Sequence, residues 1–68
     1  MGFIMNFGYK VQKLREEAKI PLKDFAYRMH TTTEAMWECE NENRIPRPDV
    51  ILRIADFFKV SVEELFEK

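Results

Sequence analysis

Apolar residues in this chain return at intervals of three and four from Phe7 to Phe66, and nowhere do they alternate with period two. A three-to-four spacing places one stripe of each segment on one side of an α-helix, whereas a strand would need alternation. The chain therefore reads as all-α, cut into five short helices by proline, asparagine and hydroxyl-rich punctuation. Phe7, Val11, Leu14 and Ala18 form the stripe of the first helix, with Asn6 as its expected N-cap. Pro21 starts the second, whose apolar side is Leu22, Phe25, Ala26 and Met29, ending around His30. Thr31 to Thr33 suit a turn better than a helix interior. Thr32 is the expected N-cap of the third helix, and Thr31 with Glu34 also spells a capping box. Ala35, Met36 and Cys39 are expected to face inward from that helix, leaving Thr33, Glu34, Trp37 and Glu38 outside. Asn41 to Pro48 reads as a loop, and Pro48 opens the fourth helix, with Ile51, Ile54, Ala55 and Phe58 as core. Ser61 and Glu64 form a capping box for a short fifth helix carrying Val62, Leu65 and Phe66.

The 68 residues suffice for one core, so a single domain spanning 1–68 is expected. Residues 1–6 read as an apolar extension without a basic leader, within which Met5 offers an alternative start. No apolar run is long enough to span a membrane. The lone Cys39 excludes an intrachain disulfide and a multi-cysteine zinc site, and fits a reducing, cytoplasmic setting. No Ser-His-Asp group, phosphate loop or paired acids in a plausible pocket is present, and a domain of this size has little room for a cleft. The chain is thus expected not to be an enzyme and to need no cofactor or metal. His30, with no carboxylate or thiol partner in sequence, reads as a turn residue.

In order and spacing, these pieces resemble the Cro/C1-type, or Xre-type, helix-turn-helix family. "FGYKVQKLREEAKI" looks like its first helix, with Leu14-Arg15 as the usual pair. "DFAYRMHTTTEAM" carries the helix-turn-helix spacing through Ala26, His30 and Met36. "CENENRIP" keeps Glu40 and Pro46 in register, and "VILRIADFFKVSVEELF" is similar to the closing helices through Val60, Ser61 and Leu65. The resemblance implies a five-helix, lambda-repressor-like fold and a sequence-specific transcriptional regulator, repressor-like or antitoxin-like, that places helix three in the major groove of double-stranded DNA. It implies a homodimer on a two-fold site, for which Val62, Leu65, Phe66 and the apolar start are candidate contacts. The chain departs from the family pattern at five places. Leu22 stands for a phosphate-touching Gln, Pro21 for a Ser/Thr cap, His30 for the turn Gly, Cys39 for Trp and Glu42 for the loop Gly.

By spacing, the residues expected to contact bases are Thr33, Glu34, Trp37 and Glu38. Thr33 offers a hydroxyl and a methyl, Glu34 can accept from a cytosine amino group, and Trp37 can pack on a thymine methyl or a sugar. Phosphates are expected at Lys23, Arg28, Thr32, Asn41, Asn43 and Arg44, with Arg47 a further candidate. Charge argues the other way. Formal net charge is -1, and Thr31 to Arg44 holds four acids (Glu34, Glu38, Glu40, Glu42) against one base, Arg44. The resemblance points Glu40 at a neighbouring loop or arginine. Lys10 to Arg28 is basic, with six cations against three acids. A second reading stays open: a helix-turn-helix fold that has lost DNA binding and engages a protein partner through its acidic third helix and Trp37. Trp37 itself fits DNA, a protein partner or packing on a nearby loop.

Overall fold

A computed structural model describes residues 6–67 as five helices in the expected order: α1 (Phe7–Glu17), α2 (Leu22–Arg28), α3 (Thr33–Asn41), α4 (Pro48–Phe58) and α5 (Val62–Phe66). Residues 1–5, most of the apolar extension, and Lys68 lie outside the described residues. Among the described residues no helix is long and apolar enough to cross a membrane.

Three of the helices, α1, α2 and α4, stop for a common physical reason. Lys19, His30 and Lys59 each adopt a left-handed backbone, with φ of 59°, 63° and 59°. After each, two amide groups turn back onto the last carbonyls. Lys19 N donates to Glu16 O and Ile20 N to Arg15 O, His30 N to Tyr27 O and Thr31 N to Ala26 O, and Lys59 N to Asp56 O and Val60 N to Ala55 O. This is the reverse-turn cap that glycine usually occupies. Here three residues with side chains accept the steric cost of the left-handed region. His30 thus fills the turn between α2 and α3 in the conformation that the sequence left open.

Helix starts follow the sequence with two exceptions. Thr32 caps α3, its Oγ1 accepting from Ala35 N at 3.0 Å. That register leaves no capping box from Thr31 and Glu34. Asn6 sits at the N-cap of α1 but caps only through its carbonyl, which accepts from Lys10 N. The Ser61–Glu64 box is complete, and Pro48 opens α4.

α1 packs against α3 and α5, α2 against α3, and α4 against α5. The shared core holds Phe7 and Val11 of α1, Phe25 and Ala26 of α2 with Met29, Met36 and Cys39 of α3, Val50, Ile54 and Ala55 of α4, and Leu65 of α5. Phe7 stacks on Phe66 at 4.7 Å between ring centroids, and Phe25 meets Phe58 at 5.6 Å. Three expectations about burial change. Ala18, at the C-cap just past the end of α1, is exposed, and so is Ala35 in the first turn of α3. Val50, one position before the expected stripe of α4, is fully buried, whereas Ile51 and Phe58 are half-buried.

Candidate nucleic-acid interface

α1 sets how α3 sits. Gly8 is buried where the two helices approach so closely that a Cβ there would collide with the carbonyl oxygen of Cys39. Glycine is required by space at this crossing. The Gly8 amide donates to Asn43 Oδ1 at 2.9 Å, tying α1 to the loop after α3. That loop turns at Asn43, which has φ of 52°.

Two turns further along α1, Arg15 grips Glu40 in a two-pronged pair. Arg15 Nε donates to Glu40 Oε2 at 2.8 Å and Nη2 to Oε1 at 3.0 Å, while Nη1 donates to the carbonyl of Ile20 at 2.8 Å. The Glu40 side chain is 1% exposed and that of Arg15 12%. The hydrogen bond to Glu40 raises the Arg15 pKa further above its already high value; partial burial opposes this, and the negative charges of Glu40 and Glu16 reinforce it. The planar guanidinium matches a carboxylate in two parallel bonds, which fixes angle as well as distance. Cys39, beside Glu40, is buried, and its thiol is pushed up to about 12, first by burial and then by the negative charge of Glu40. A thiol held protonated is a poor nucleophile, so Cys39 is a packing residue.

With its inner side held this way, α3 presents Thr33, Glu34 and Trp37 outward. All three are exposed, Trp37 by 47%. Asn41, one turn after Trp37, is also exposed and donates its Nδ2 to the Trp37 carbonyl at 3.0 Å. Its four-residue spacing from Trp37 carries the outward face into the last turn of α3.

The remaining sites divide by what already engages them. Lys23 and Arg28 on α2 are exposed, and among the described residues neither is ion-paired. Thr32 is committed to its cap, and the side-chain oxygen of Asn43 to Gly8. Arg44 is exposed but stands 3.6 Å from Glu38 Oε1 and 4.0 Å from Glu42 Oε1. Arg47 lies 3.6 Å from Asp49. Glu38, expected to reach bases, is half-buried and paired with Arg44.

The acidic stretch therefore differs from the unpaired row that the sequence suggested. Glu40 is withdrawn into the core against Arg15, and Glu38 and Glu42 share Arg44. Glu34 alone keeps a carboxylate in solvent with no partner among the described residues. The resemblance pointed Glu40 at a neighbouring loop or an arginine without saying which, and the partner, Arg15, lies twenty-five positions away. The Gly8–Asn43 link had no sequence signal beyond a glycine inside a helical stripe.

No family model matches the chain, and no curated protein matches it. Among solved structures it is similar to the N-terminal DNA-binding domain of SinR from Bacillus subtilis, with a TM-score of 0.81, 17% identity and 93% of each chain covered. It is similar to the P22 c2 repressor protein in complex with a synthetic operator, with a TM-score of 0.82, 16% identity, and 90% of this chain and 92% of that one covered. It is also similar to the restriction-modification controller protein C.AhdI from Aeromonas hydrophila, with a TM-score of 0.77, 21% identity, and 91% and 94% covered. At these identities the likeness is one of fold: an all-helical, five-helix domain in which α2 and α3 form a helix-turn-helix.

Proposed function

We propose that the chain is a sequence-specific DNA-binding transcriptional regulator that places α3 in the major groove of double-stranded DNA. The observation that carries this reading is the open outer face of α3 on a fold shared with DNA-binding domains, one of them in complex with an operator. A helix of this diameter fits the major groove, with its N-terminal residues toward base edges. Thr33, Glu34 and Trp37 take base contacts, with Glu38 at the rim. Lys23 and Arg28, both exposed and without an ion-pair partner among the described residues, take phosphates together with Thr32, Asn41, Asn43 and Arg44. The protein works in the cytoplasm as a homodimer, because one protomer brings few phosphate-neutralising cations and two half-sites double them.

Fluorescence anisotropy with duplex DNA from around its own gene, at two salt concentrations, tests the reading. Lys23, Arg28 and Arg44 in each protomer make six charged phosphate contacts per dimer, so log K should fall against log[salt] with a slope of about -5. Affinity should drop about a thousandfold between 50 and 200 mM salt, on the order expected for six contacts. Binding that is absent, or flat with salt, refutes this function and favours a protein-interaction module built on Trp37 and the acidic side of α3.

A further inference from the structure

We infer that Glu34 is the selectivity residue of the proposed DNA-binding face, favouring cytosine over the other three bases at the position it meets. The inference rests on the proposed function and names the class of site that function would read. Its observation is the division of the acids around α3. Glu40 is buried against Arg15, and Glu38 and Glu42 stand beside Arg44, so these three carboxylates already face an arginine within the fold. Glu34 is exposed, has no partner among the described residues, and lies in the first turn of α3 just after the Thr32 cap. A carboxylate at that place opposes binding to phosphates wherever it is not satisfied. It stays favourable only on sequences that offer it a donor.

The chemistry narrows that donor to one base. An ionised carboxylate can only accept. In the major groove, guanine offers acceptors at N7 and O6, and thymine an acceptor at O4 with a methyl group. Only the amino groups of cytosine and adenine donate there. In adenine the N7 acceptor sits beside the amino group and repels the second carboxylate oxygen. In cytosine the amino group is flanked by a C5–H, which does not. Glu34 therefore gains on cytosine and loses on the other three bases. Trp37, three residues on and nearly half exposed, supplies an apolar surface on the same side but no charge.

The test uses the full chain and Glu34→Gln, each taken through rounds of selection on a pool of randomised duplexes. Glutamine keeps the length and helix preference of glutamate but both donates and accepts. The native chain should enrich cytosine at one position per half-site by about tenfold over other bases, within the range for one good base contact. Glu34→Gln should still bind but lose that preference, and it should hold unselected duplexes more tightly at low salt. Replacing the selected cytosine by N4-methylcytosine, which blocks the groove-facing N–H, should weaken the native chain about tenfold and leave Glu34→Gln unchanged. A Glu34→Gln protein that keeps the same cytosine, or a native chain indifferent to N4-methylcytosine, overturns the inference while leaving the DNA-binding function standing. A native chain that holds no duplex in a salt-dependent way removes both. A purely structural role for Glu34, such as favouring the start of α3, would shift stability and leave the base preference in place.

Discussion

Arg15→Met is the perturbation with the clearest consequence for the arrangement of α3. Among the described residues Arg15 is the only group bonded to the Glu40 carboxylate, whose side chain is 1% exposed, and it also satisfies the Ile20 carbonyl. Removing one partner of a buried pair strands the other charge and costs about 3–5 kcal/mol. The lower end applies here, because Arg15 reaches the surface and water can follow into the space it leaves. A domain of this length has a total stability on the order of 3–10 kcal/mol, so Arg15→Met removes a third or more of it. In a urea titration followed by far-UV circular dichroism, with m near 1 kcal/mol/M, the midpoint should fall by about 3 M or the variant should be unfolded without urea. The companion Arg15→Met/Glu40→Leu exchanges the ion pair for apolar contact and should recover at least about 2 kcal/mol of that loss. The folded Arg15 pKa is raised, so the contribution is fully present below the ordinary arginine value and is lost only as pH rises through the still higher folded value. The defect should accordingly be the same at neutral and mildly alkaline pH. A midpoint shift under about 1 M, or a double variant no better than the single one, would refute the view that this pair sets α3 in place.

Gly8→Ala should cost about 2 kcal/mol or more, because the new methyl meets the backbone of Cys39 rather than a movable side chain. A thermal melt should show Tm lower by on the order of 10 °C. Cys39 should resist iodoacetamide in the folded protein and react once urea unfolds it. Its folded pKa, raised from 9.0 to about 12, predicts stability that is intact below the lower value and declines as pH climbs toward the upper one. Alkaline titration of Cys39→Ala should lack that component. Arg44→Ala should weaken binding to all duplexes alike and reduce the salt slope by about 1 for each protomer engaged, whereas Thr33→Ala should change the ranking of sequences. Equal loss from both in competition binding would contradict those roles.

The order and type of the helices were legible because each is specified locally. Threonine at 32, proline at 48 and the Ser61–Glu64 box act on neighbouring amides, and a stripe repeating every three to four residues needs no distant partner to be recognised. Which stripe becomes covered is a different matter. Ala18 and Ala35 match the helical period as well as Val11 or Met36 do, yet both are exposed, and at the start of α4 it is Val50 rather than Ile51 that is buried, while Ile54 and Ala55 keep the places their stripe suggests. Charge shows the same division. The sequence presents Glu34, Glu38, Glu40 and Glu42 as four like charges along one segment. Only the crossing of α1 over α3, made possible by the absent side chain of Gly8, brings Arg15 to Glu40. The return of the loop brings Arg44 back beside Glu38 and Glu42. Helix formation depends on contacts within about four residues, but the field around α3 depends on which cations the fold carries to it from elsewhere in the chain.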